Sequence, residues 1–251
     1  MPRVRLRSVL VLGLVVLTGC AGDPVPGEEA VTVAGQRVWC AGEGPAVVLV
    51  HGIGDDASSA QWLAVERVLA EDARVCRYDR PGTGASDAPG TGGRGADALD
   101  AELGAVVAHA AGAGPVVLVA HSFGGYPARV HAGRHPDRVA GLVLVDALDP
   151  SVGVVRGTGA ADLRAVEMGG EALDLADVEA AAAAVTELPA APPLAVLSRG
   201  QGRSAEWIAA QDRLAALVEG TQVTVVDAGH QVPTEAPDAV VDAVRSVLPG
   251  G

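Results

Sequence analysis

Three short stretches of this 251-residue sequence carry residue types that together do nucleophilic chemistry. The first is AHSFGG (120–125), a serine with Ala120 two residues before it and Gly124 two residues after. A serine hydroxyl is a weak nucleophile until a neighbouring base takes its proton. Small flanking residues are what a sharp strand-to-helix turn requires if Oγ of Ser122 is to stand clear of a sheet. Ala120 occupies the position that is glycine in GxSxG, so one methyl group must be accommodated there. The second stretch, DAGHQVP (227–233), supplies His230, late in the chain and after an apolar run, as the general base. The third is HGIG (51–54). Placed directly after a strand, it lets the backbone N–H of Ile53 join that of Phe123 as donors to the oxyanion of a tetrahedral intermediate. Removing one such donor typically costs about 10² to 10³ in rate. His51 reads as a structural histidine that orders its loop, and His109, His131 and His135 read as surface histidines on or beside helical stretches.

These residues need elements that bring distant loops together, and the chain supplies an alternation of strand and helix signals. Strand patterns fall at 31–33, 36–40, 46–50, 74–78, 115–120, 139–145, 194–197 and 223–226. The run AVVLV (46–50) is continuously apolar, as a strand buried on both faces must be. Helical patterns fall at 58–71, 96–111, 123–135, 204–219 and 235–248. Alternation of this kind predicts an α/β fold: a mostly parallel, doubly wound sheet of about eight strands with helices on both faces. Active sites in such sheets lie at the carboxyl ends of the strands, which is where the Ser122, His230 and Ile53 loops fall. An Ala-rich segment at about 150–190 reads as a small helical cap with an aliphatic character.

HGIG, YDRPGTGASD (78–87), AHSFGG, HPDRVAGLVLVD (135–146) and the late GH occur in an order that resembles the α/β-hydrolase fold serine hydrolases, over residues of about 36–248. The resemblance implies a Ser-His-acid triad, an acyl-enzyme intermediate and an ester or related acyl substrate. It also makes Asp79, Arg80 and Gly82 scaffold that orders the site. The acid departs from the commonest family arrangement, because PPLAVLSRGQGRS (192–204) offers no carboxylate before Glu206. Other family branches carry the acid after the strand that follows the elbow helix, and VLVDALDP (143–150) offers Asp146 and Asp149 there. Asp146 is the expected triad acid, with Asp149 and Glu206 as alternatives. In the family's sheet the second and fourth strands are neighbours, which implies a disulfide between Cys40 and Cys76. Other triad chemistry on the same fold (amide, lactone or carbon–carbon bond hydrolysis, perhydrolysis) and a non-catalytic surface binding module are the rival readings.

Composition bounds the partners. All 18 basic residues are Arg, 31 residues are acidic and the net charge is −13, so the clustered basic surface that nucleic acid requires is not visible. PGTGGRG (89–95) follows no strand and lacks the GK[ST] ending of a phosphate loop, and neither a cofactor fingerprint nor a metal-ligand cluster is evident. Residues 1–19 read as a signal peptide: Arg3, Arg5 and Arg7 precede an apolar run. The LTGC at 17–20 resembles a lipobox, which predicts lipidation of Cys20, a tether over 20–29 and a hydrolase domain over 30–251. Loss of the three leader arginines takes the charge from −13 to −16. The expected product is an acidic, exported lipoprotein on the outer face of a bacterial membrane, acting on a small acyl substrate.

Overall fold

The computed structural model describes residues 25–57, 60–153 and 166–249. The expected signal segment (1–19), Cys20 and part of the expected cap (about 150–190) lie outside them. Ten strands form within the described residues: β1 (Glu29–Val33), β2 (Gln36–Ala41), β3 (Ala46–Val50), β4 (Arg74–Tyr78), β5 (Val116–His121), β6 (Val139–Val145), β7 (Val166–Met168), β8 (Glu171–Leu173), β9 (Leu194–Arg199) and β10 (Val223–Val226). Seven helices accompany them: α1 (Ala60–Leu69), α2 (Ala96–Ala111), α3 (Gly125–Arg134), α4 (Leu175–Ala184), α5 (Ala205–Ala215), α6 (Val232–Glu235) and α7 (Pro237–Val247). No described helix is long and apolar enough to cross a membrane.

Eight strands make one sheet in the order β1-β2-β4-β3-β5-β6-β9-β10. The first two strands are antiparallel to their neighbours and the remaining pairs are parallel. β3, β5 and β6 hold the middle, and nearly every residue on them is buried. That is why their sequences show unbroken Val, Leu and Ala instead of alternation. One apolar layer joins α2 and the start of α3 to one sheet face through Leu103, Val106, Leu118 and Leu144. The opposite layer seats α1 and α7 through Trp62, Leu69, Val119 and Val244. β2 and β4 are adjacent with Cys40 opposite Cys76, and the two form a disulfide.

The cap differs from the purely helical insertion expected. Its described part is a β7–β8 hairpin followed by α4. Gly169 and Gly170 form the hairpin turn, both at positive φ, and they let the strands reverse in two residues where the alanine-rich composition suggested only helix. The hairpin sits on the loops of the main domain. A Cβ added at Gly169 would lie 2.3 Å from the Cα of Gly54, and one added at Gly82 would lie 2.2 Å from the Gly170 carbonyl oxygen.

Candidate active site

β5 ends at His121, and Ser122 begins a single 3-10 turn that leads into α3. Ser122 holds φ at +52°, a left-handed conformation that costs a non-glycine residue of order 1–3 kcal/mol unless its surroundings enforce it. Gly124 shows what enforces it. A side chain there would come within 2.5 Å of the Val50 carbonyl oxygen and 2.7 Å of that of His51, so only glycine lets the turn press against the end of β3. Ala120, the methyl-bearing substitute for the first glycine, is wholly buried between Val50 and Leu144 in the sheet.

The Ser122 hydroxyl meets His230. Asp146 Oδ2 lies 2.6 Å from His230 Nδ1, and His230 Nε2 lies 2.9 Å from Ser122 Oγ. A carboxylate can only accept, so Nδ1 carries the proton, Nε2 is the lone-pair nitrogen and the serine hydroxyl donates to it. Asp146 is fully buried and sits one residue beyond β6 with φ at +43°. Its Oδ1 accepts from the Arg199 backbone N–H (3.0 Å) and from Trp207 Nε1 (3.0 Å), and the Arg199 guanidinium approaches Oδ2 at 3.5 Å. The Trp207 ring stands edge-on to His230 with centroids 6.1 Å apart, and the Arg199 guanidinium lies 4.0 Å over it.

The backbone of His230 is held as well. His121 Nε2 donates to the His230 carbonyl (2.8 Å), and that assignment leaves His121 Nδ1 to accept from Gln61 Nε2 (2.8 Å). Burial, reinforced by the neighbouring His230, pushes the His121 imidazole down to about 4, so it is neutral near pH 7. Across the site, His51 donates from Nδ1 to the Gly52 carbonyl at 2.8 Å. Burial and the Arg80 guanidinium keep His51 neutral by driving its pKa well below the histidine range. This is the loop-ordering part expected of it.

Of the residues singled out from sequence, the structure brings together Ser122, His230 and Asp146, with Gly52 beside them: a Cβ on Gly52 would lie 3.2 Å from Ser122 Cβ. It does not bring Asp149 or Glu206 to His230. Asp149 is spent on Ser151, Arg129 and Arg213 at the base of the cap, and Glu206 is exposed on the first turn of α5. His131 departs from the surface position expected of it. It is 3% exposed, and its Nδ1 donates to Asp100, which also accepts from His135 and Arg134. Burial opposes the Asp100 charge, but those donors together hold its carboxyl well below the usual range. Gln61, His121 and Trp207 went unread in the sequence. The only available signal was a glutamine and two ring side chains at positions whose helix or strand partners are apolar.

A family profile described as the alpha/beta hydrolase fold matches residues 45–166. An uncharacterized protein of Mycobacterium tuberculosis is 35% identical over 127 residues, covering 46% of this chain and 33% of its own length. The chain spans a third or less of the curated relatives it matches. Among solved structures, Cfl2 from Burkholderia cenocepacia superposes with a TM-score of 0.68 at 22% identity, covering 88% of this chain and 95% of that one. The enol-lactonase from Burkholderia xenovorans superposes with a TM-score of 0.62 at 20% identity, covering 87% and 99%. At these identities the likeness is one of fold.

Proposed function

We propose that this chain, which has the α/β-hydrolase fold, is a serine hydrolase that cleaves a carboxylic ester or related acyl compound. The observation that carries the reading is the hydrogen-bonded relay from Asp146 through His230 to Ser122, built from three separate strand ends. In this mechanism Ser122 Oγ attacks the acyl carbon while His230 Nε2 takes its proton. Asp146 holds the imidazole in the tautomer that can do so and stabilises the imidazolium that results. The N–H groups of Ile53 and Phe123 receive the developing oxyanion. His230 then returns its proton to the leaving group, and water releases the acyl group with His230 again as base. Phe123, next to Ser122 in the chain, is buried with Leu173, and Ile53, Leu148 and Val166 pack against that apolar cluster, which anchors the elbow and the Ile53 loop.

The test is covalent. A fluorophosphonate probe should label the wild-type protein on Ser122 and leave Ser122→Ala unlabelled. p-Nitrophenyl esters of short acyl chains should be hydrolysed by the former and not the latter. Absence of labelling in folded wild-type protein would favour the binding-module reading. Activity confined to lactones or amides would keep the mechanism and change the substrate. We further propose that residues 1–19 direct export and that lipidated Cys20 tethers the domain to the envelope; the charged, apolar, small-residue order of the leader supports this.

A further inference from the structure

The loop 51–57 that carries Ile53 is pinned at both ends by two consecutive residues following β4. Asp79 accepts from the Ala57 N–H at 2.6 Å with one carboxylate oxygen and from the Ala85 N–H at 2.7 Å with the other. Arg80, 1% exposed, donates from one terminal nitrogen to the His51 carbonyl at 2.7 Å and from the other to the Gly52 carbonyl at 2.9 Å. The described peptide bonds are all trans. In a trans peptide the C=O and the following N–H are antiparallel, so fixing the Gly52 carbonyl toward Arg80 fixes the Ile53 N–H in the opposite direction. The same guanidinium lies 5.5 Å over the ring of Phe123, the residue that supplies the second donor.

Arg80 is itself positioned from the cap. Nε donates to Glu171 Oε2 at 2.8 Å and a terminal nitrogen to Glu171 Oε1 at 2.7 Å, a two-pronged pair with Glu171 completely buried on β8. Burial works against the Arg80 charge, and the Glu171 carboxylate outweighs it. The glycine contacts between the hairpin turn and residues 54 and 82 hold the hairpin at the distance this pair needs. Arg94 also donates to Glu171 Oε2, at 3.2 Å.

We propose that Arg80 is a positioning residue for the Ile53 N–H, and that Glu171 on the cap hairpin holds Arg80 in place, so that the hairpin and the oxyanion site tighten and loosen together. The consequence for rate rests on the serine hydrolase reading above; the consequence for the Ile53 amide does not.

The composition makes a direct test available, because the chain has a single Phe, at 123, and only two Ile, at 53 and 208. Protein labelled with ¹⁵N-isoleucine and ¹⁵N-phenylalanine therefore reports both donor amides, with Ile208 as an internal control. In Glu171→Gln and Arg80→Lys the Ile53 resonance should shift and its exchange with solvent should quicken about tenfold or more, while Ile208 stays in place. kcat for a short p-nitrophenyl ester should fall roughly ten- to a hundredfold, short of the loss of a whole donor, with KM changed less than about threefold. An Ile53 resonance in folded Glu171→Gln that coincides with wild type would overturn the proposal. So would a shifted Ile53 with kcat intact. If Arg80→Lys fails to fold, the isosteric Glu171→Gln decides alone. If wild type neither hydrolyses esters nor labels at Ser122, the hydrolase reading falls, and the Ile53 resonance still decides whether Glu171 acts through Arg80 on that amide.

Discussion

Ser122 and Asp146 are two of five non-glycine residues at positive φ among the described residues, and both face His230. Side chains accept that conformation only where the surroundings over-determine it. The four donors around Asp146 do so, and they also keep its two oxygens from rotating away from His230. Asp146→Asn should therefore cut kcat by several orders of magnitude, on the order of 10⁴ as in the best-measured triad, with fold retained by circular dichroism. Asp149→Asn should leave kcat close to wild type while lowering the melting temperature, because Arg129 and Arg213 lose their carboxylate partner. The opposite pattern would reassign the acid. His121 gives a pH prediction of defined sign. Its folded-state pKa lies near 4, below the unfolded value near 6.5, so between those values the unfolded chain binds the extra proton. Stability is then full above pH 6.5 and is lost as pH falls toward 4, by roughly 2 kcal/mol at pH 5 from this group. His51, also held neutral, acts in the same direction. Urea midpoints at pH 7 and pH 5 should show the loss, and His121→Asn should reduce it to the part that His51 contributes.

At the scale of elements, the buried strands were legible because their residues are apolar on both faces, and β3, β5, β6 and β9 fall within a residue or two of the pattern. The helix expected at 123–135 begins two residues later, since the elbow takes its first turn as 3-10. The final helix divides at Ala236, where Pro237 cannot donate an N–H and starts a new segment instead. The β7–β8 hairpin was not legible: its strands are three residues each, too short for any period to show. The Cys40–Cys76 cross-link ties β2 to β4 and closes a loop with a sequence separation of 36, for which chain entropy gives roughly 3 to 4 kcal/mol. The Cys40→Ala, Cys76→Ala double variant should lose stability of that order in chemical denaturation, with ester hydrolysis at low denaturant little altered. Intact mass should rise by two hydrogens when wild type is reduced under denaturing conditions.

For the molecule as a whole, the surplus of acids over arginines gives a negative protein, and among the described residues Arg77, Arg80, Arg94, Arg129 and Arg199 are held inside by carboxylates. Such a surface favours solubility and works against binding to anionic lipid headgroups. In the lipoprotein proposal, retention at a membrane depends on acyl chains added to Cys20, each buried CH₂ contributing about 0.8 kcal/mol. Cys20→Ser should move the protein from the membrane to the soluble fraction of an expressing cell. Unchanged fractionation would remove the lipoprotein proposal without touching the enzymatic one.

The sheet, and the placing of Ser122 and His230 on loops at strand ends, could be read from the chain alone, because buried strands and a small-residue turn impose local restrictions that a short window displays. For the expected acid the sequence left three carboxylates, Asp146, Asp149 and Glu206. Which of these meets His230 is a matter of tertiary structure, since what distinguishes Asp146 is its distance from a histidine 84 residues away and the donors that Arg199 and Trp207 bring from another strand and helix. The Glu171–Arg80–Gly52 chain of contacts was beyond reach for the same reason. Its members are separated by 91 and 28 residues, and hydrogen bonding across such spans leaves no period in the sequence.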